Sequence, residues 1–122
     1  MKKNYASLKL FLVLIFLLYS TTSNAQSPCG GSDLCVVQFN AGFNEANKVE
    51  WVDKLTDCKK SFIDIQTNTE AAGKYKIVVV PTIVIYKGGE EVHRYQANIM
   101  MVMEATKKEV QGKVDEIIMS DF

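Results

Sequence analysis

Apolar positions in this chain gather into short runs with distinct periods. Leu34–Phe39 (LCVVQF) is apolar on both parities, the pattern of a strand covered on both faces in a parallel or mixed sheet. Asn40–Phe43 reads as a loop. Asn44 is a good N-cap, and Ala46, Val49, Val52 and Leu55 follow at helical spacing with Trp51 on a flank, which predicts a helix. Ser61–Ile65 (SFIDI) is a second short strand, and Thr69–Tyr75 (TEAAGKY) a brief helix despite Gly73. Ile77–Val80 is apolar up to Pro81, after which Thr82–Tyr86 forms a third strand. Lys87–Glu90 is a turn, and Glu91–Gln96 pairs back as a hairpin. Ile99–Met103 is a methionine-rich connector with no readable period. Thr106 and Glu109 make a capping box, with Val110, Val114, Ile117 and Ile118 as the buried stripe of a C-terminal helix. The order is β-α-β-α-β-β-α, an α/β architecture with a central mixed sheet flanked by helices and no internal repeat.

Ahead of these elements stands a different kind of run. Lys2 and Lys3 precede ten apolar residues, Leu10–Tyr19, and Ser23, Asn24 and Ala25 put small residues before Gln26. This is the pattern of a secretory signal over residues 1–25, cleaved near Ala25. Ten apolar residues fall well short of the roughly 20 that a membrane-spanning helix needs. An uncleaved anchor is the alternative. Cleavage leaves 97 residues of the 122, enough for one small domain with one core. Residues 26–33 (QSPCGGSD) are an irregular lead-in, and the domain spans 34–122. The expected destination is an exported space, periplasmic or extracellular, where disulfides persist.

Charge excludes some partners. The full chain balances 14 basic against 14 acidic residues, and without Lys2, Lys3 and Lys9 the count is 11 against 14. Neither a nucleic-acid footprint nor a polybasic membrane patch is present. One histidine, three cysteines, no phosphate-cradling glycine loop and no nucleophile–base pair lead us to expect no metal and no cofactor.

Proline within an apolar strand run is rare because it removes a ladder donor, but it is tolerated where a strand starts. Val80-Pro81-Thr82 therefore admits a trans proline that simply opens the strand, or a cis bond, which X–Pro amides allow at modest cost. The segment Tyr75–Gly89 (YKIVVVPTIVIYKGG) closely resembles the one that carries the cis-proline and following hairpin of thioredoxins. Val36–Ala41 (VVQFNA) resembles the strand leading into their active site, and Ser61–Ile65 their next strand. The resemblance runs from about Leu34 to Phe122 and implies a thioredoxin-like fold with Val80–Pro81 cis.

The same resemblance places the family's Cys-x-x-Cys on Asn44–Asn47 (NEAN), where both cysteines become asparagines. Thioredoxin chemistry needs a thiolate that attacks and a second thiol that resolves, and Asn44 can do neither step. The family's buried acid falls at Gln38 and its tryptophan at Phe43, and no Cys-x-x-Cys occurs elsewhere. The implied function is a redox-silent domain that holds extended protein or peptide segments in a groove built from Phe43, Asn44, Asn47, Val80, Pro81 and Thr82.

Three cysteines permit three single bridges. Cys29, Cys35 and Cys58 are expected to gather at the sheet end opposite Pro81. We expect Cys29–Cys58, on flexible segments, with Cys35 buried as a small apolar residue. Two alternatives stay open: a thiol–disulfide oxidoreductase that uses Cys29, Cys35 or Cys58, and a purely structural module. His93 and Asp64 have no partners for chemistry in the pattern, and Met100, Met101 and Met103 read either as core filling or as an adaptable surface.

Overall fold

The computed structural model describes residues 27–30 and 33–121. The predicted signal over residues 1–25 lies outside the described residues. Four strands form one mixed sheet in the order β2-β1-β3-β4: β1 (Leu34–Asn40), β2 (Lys59–Asp64), β3 (Thr82–Lys87) and β4 (Glu90–Gln96). β1 runs parallel to β2 and antiparallel to β3, and β3 pairs antiparallel with β4. Both central strands are buried on both faces, which is why Leu34–Phe39 shows no alternation of apolar and polar residues. The two parities feed two separate cores. Val36, Ile83 and Ile85 pack with Val49, Val52, Leu55 and the C-terminal helix α2 (Lys107–Met119). On the other face Cys35, Val37, Phe39, Val84 and Tyr86 pack with Ile77, Val80 and the short helix α1 (Ala71–Lys74).

The C-terminal helix follows its sequence pattern. Thr106 is the N-cap and its Oγ1 accepts from Glu109 N at 3.2 Å, while Val110, Val114 and Ile117 are buried. α1 is shorter than the run Thr69–Tyr75 suggested, and its C-terminal carbonyls are taken up from across the fold. The Arg94 guanidinium donates to Tyr75 O at 2.8 Å and Lys76 O at 2.7 Å while paired with Glu91.

One predicted element is corrected. Residues 44–55 do not form an α-helix; the connection from β1 to β2 is two 3-10 helices, Gly42–Asn47 and Glu50–Lys54. Asn44 is not an N-cap: it lies inside the first of them, buried, with non-helical φ/ψ. Ala46 is exposed, while Val49, Val52 and Leu55 cover the sheet. That burial at a strict interval of three suits a 3-10 turn, in which residues i and i+3 eclipse.

A second correction concerns the cysteines. The disulfide joins Cys29 to Cys35, with Cα atoms 6.4 Å apart, and Cys58 is free. The register puts Cys58 beside the start of β1, as Cys35 pairs with Lys59. The sheet nevertheless separates the thiols. Cys35 and Cys29 pack in one core and Cys58 against the other, so the expected Cys29–Cys58 bridge would have to pass through the sheet.

Candidate functional site

At the end of β1 where the chain leaves the sheet, three asparagines interlock. Asn40 is fully buried and donates from Nδ2 to Asn44 O at 3.2 Å. Asn44 is 5% exposed, and its Nδ2 has Asn40 Oδ1 at 3.1 Å, Met101 O at 3.2 Å and Val80 O at 3.4 Å within reach. Asn47 donates to Asn44 Oδ1 at 2.9 Å. One neutral amide thus ties the end of β1, the 3-10 turn, the residue before Pro81 and the 98–102 loop. Each buried side-chain nitrogen and oxygen among the described residues has a partner, as burial demands.

Gln38 does comparable work one strand turn earlier. Its Oε1 accepts from Val49 N at 2.8 Å and its Nε2 donates to Val49 O at 2.9 Å, so the side chain pairs with that residue as a neighbouring strand would. A carboxamide does both at any pH, whereas an ionised carboxylate accepts and never donates. Gln66 accepts from Phe43 N at 3.0 Å, and a Cβ on Gly42 would lie 2.9 Å from that same Gln66 oxygen. Glycine lets the loop approach so closely.

Beside the asparagines opens an apolar cleft of about 470 Å³, lined by Phe43, Ile65, Ile77–Val80, Ala97–Ile99 and Met101. None of its lining residues is charged. Phe43 and Val78 stand exposed at its rim, at 68% and 79%. The Val80–Pro81 peptide bond is cis. The backbone N–H groups of Val78, Val79 and Val80 have no hydrogen-bond partner among the described residues. Those are the groups an added extended segment would use.

Of the six residues placed at the groove from sequence, Phe43 and Val80 line this cleft, while Asn44, Asn47, Pro81 and Thr82 are not among its lining residues. Val80, Pro81 and Thr82 are buried, and the Thr82 hydroxyl donates to Val79 O at 2.6 Å. Asn44 faces inward. Sequence reasoning missed Val78, Ile99 and the lining role of Met101; Val78 belongs to the apolar run that adjoins Pro81, whereas the 99–103 connector carries no local signal that places it there.

At the opposite end of the sheet the chemistry is different. Cys35 is 1% exposed, Cys29 is half-buried, and the Tyr86 hydroxyl is pushed up to about 12 by burial, with Glu91 adding to the effect. Burial also pushes the Cys58 thiol up, against the pull of Lys60, so it stays protonated and weakly nucleophilic at neutral pH. His93 is exposed and stacks edge-on against Tyr95, 4.6 Å between ring centroids. Asp64 accepts from Gln66 N within its own turn. No group of three or more His, Cys, Asp or Glu residues is placed to hold a metal among the described residues. No helix among them is long and apolar enough to cross a membrane.

Sheet order, the cis bond before β3 and the flanking helices define a thioredoxin-like fold. The solved structures to which the chain is similar agree. A thioredoxin from Fasciola hepatica shares 28% identity, with a TM-score of 0.52, over 70% of this chain and 82% of its own. A designed protein shares 26%, with a TM-score of 0.56, over 72% and 83%. A mutant thioredoxin from Halobacterium salinarum, at 22% identity and TM-score 0.55 over 70% and 74%, matches in fold. No family model and no curated protein matches the chain.

Proposed function

We propose that this chain is an exported thioredoxin-like domain that binds an extended apolar segment of a protein or peptide beside Pro81. It does so without dithiol chemistry at the position where the resemblance puts a cysteine pair. The observation that carries this reading is the uncharged cleft flanked by the unpartnered N–H groups of Val78–Val80. Backbone donors give such a segment affinity, and apolar depressions select its alternate side chains. Asn44 supports the redox-silent half, because an inward-facing amide with three acceptors in reach neither ionises nor attacks a disulfide.

The test is a fluorescence titration with labelled extended peptides rich in alternating Leu, Val or Phe. Peptides N-methylated on the paired backbone positions serve as controls. Binding that falls at least tenfold on N-methylation and in Val78→Asp is the expected result. No binding of any such peptide to the dilute protein would leave a purely structural module.

A second reading rests on the Cys29–Cys35 bridge. An external thiolate can reach half-buried Cys29, forming a mixed disulfide and releasing Cys35 as the leaving thiolate. That anion would emerge among Val37, Val84 and Tyr86, where burial disfavours it. We therefore place thiol–disulfide exchange second. Insulin reduction at the level of a cysteine-free variant is the expected outcome, and cysteine-dependent turnover above that level would reverse the ranking.

A further inference from the structure

The 98–102 loop is tightly closed by Asn98. Its backbone N–H donates to Val102 O at 3.0 Å and its carbonyl accepts from Met101 N at 2.9 Å. Its side-chain Oδ1 accepts from Met100 N at 2.9 Å and Val102 N at 3.2 Å, while Nδ2 donates to Glu104 at 3.0 Å. Met101 is held at a φ of +61, the left-handed region that a non-glycine residue adopts at some cost. The loop's fixed shape holds Ile99 98% and Met100 72% exposed. Single exposed apolar residues are ordinary, but a contiguous group on a preorganised support is an interaction surface.

Phe43, Val78, Ile99 and Met101 line the cleft, and exposed Met100 and Val102 adjoin them on the same loop. Six large apolar side chains at these exposures together offer several hundred Å², on the order of the ~800 Å² per partner that a stable interface covers. Ile99, which forms part of the cleft wall, and its neighbour Met100 stand out as an exposed knuckle at the edge of the concave cleft. A twofold axis between the two would bring each knuckle to the other copy's cleft, the self-complementary contact of an isologous dimer. The uncharged lining removes the like-charge repulsion that would oppose pairing of identical surfaces.

We infer that the occupant of this face in the unliganded protein is a second copy of the chain, with each Ile99–Met100 knuckle seated in its partner's cleft. The inference deepens the peptide-binding reading and rests on it for its consequence: dimerisation and segment binding compete, so the dimer is the closed form of the binding site.

Sedimentation of the protein as the cell produces it, across a concentration series, tests this. The wild type should pass from one-chain to two-chain mass, and Ile99→Asp should weaken that association at least tenfold. Met119→Asp, which alters an equally exposed apolar residue on α2 far from the knuckle, should leave it unchanged. A wild type that stays monomeric to its solubility limit overturns the inference, as does a dimer indifferent to Ile99→Asp. Titrating an apolar peptide into the dimer should shift it to one-chain mass. A dimer whose dilute monomer binds no peptide keeps the interface and removes the peptide reading. Binding by a protein that never dimerises does the reverse.

Discussion

Residues 41–56 and residues 106–119 cover the same face of the sheet, yet they are held there by opposite means. The second segment is a 13-residue α-helix that satisfies its own backbone, caps itself through Thr106 and buries a stripe of Val110, Val114 and Ile117. The first is two short 3-10 turns broken at Lys48 and Val49; beyond a few local bonds, such as Asn44 N to Ala41 O and Leu55 N to Val52 O, it depends on partners outside the segment. Val49 pairs with Gln38, Phe43 with Gln66, Thr56 with Gln111, and Asn44 with Asn40, Val80 and Met101. A regular helix closes its hydrogen bonds locally and can be judged from its own sequence. An irregular segment borrows partners from distant side chains, and neutral carboxamides suit the task because each both donates and accepts.

The contrast predicts unequal sensitivity to polar substitutions. Asn44→Leu should be the most damaging, because it removes the donor shared by Asn40 Oδ1, Val80 O and Met101 O and the acceptor used by Asn47, leaving the buried Asn40 Oδ1 without its partner. At about 1–3 kcal/mol per orphaned buried group, a loss of roughly 3 kcal/mol or more is expected in urea unfolding. Gln38→Glu comes next, at about 2 kcal/mol at neutral pH, since the carboxylate still accepts from Val49 N but faces Val49 O. Burial and that carbonyl raise the introduced group's pKa in the folded state. The variant's stability should thus be highest at low pH and fall as pH rises through the raised value; a variant equally unstable at all pH values would remove this account.

Thr106→Ala on the regular helix should cost about 1 kcal/mol, the usual worth of an N-cap. The smallest effect is expected for Gln111→Ala, about 0.5–1 kcal/mol, because its bonds to Thr56 are exposed and water replaces them. If Thr106→Ala proved as costly as Asn44→Leu, the distinction between self-sufficient and borrowed bonding would collapse.

What could be read ahead of the structure follows the same division. β1, β3, the hairpin and α2 were legible because their signals are local: apolar runs, Pro81 at a strand start, the Gly88-Gly89 turn with both glycines at positive φ, and the capping box. The 44–55 segment was misread because Val49, Val52 and Leu55 fit helical spacing, although an α-helical stripe mixes steps of three and four. The unbroken step of three was the missed clue. The cysteine pairing failed for another reason. Sequence order puts Cys35 and Cys58 at the same end of neighbouring strands, but the face to which each thiol points depends on strand register and on how the lead-in packs. At the groove, Pro81 was visible from its neighbours, whereas Ile99 and Met101 needed the long-range bond between Met101 and Asn44 to bring them there.

The direction of β1 has a mechanical consequence. The Cys29–Cys35 bridge fixes the incoming chain at the first residues of this strand, while Asn40, Asn44 and the cleft stand at its last. Seven residues at about 3.3 Å each put roughly 20 Å of rigid sheet between them. Ser27, Cys29 and the bridge therefore sit at the heel of the domain, and the cleft stands at its toe. A pull applied at Ser27 would enter through a covalent link into a central strand paired on both sides, at the end away from the cleft.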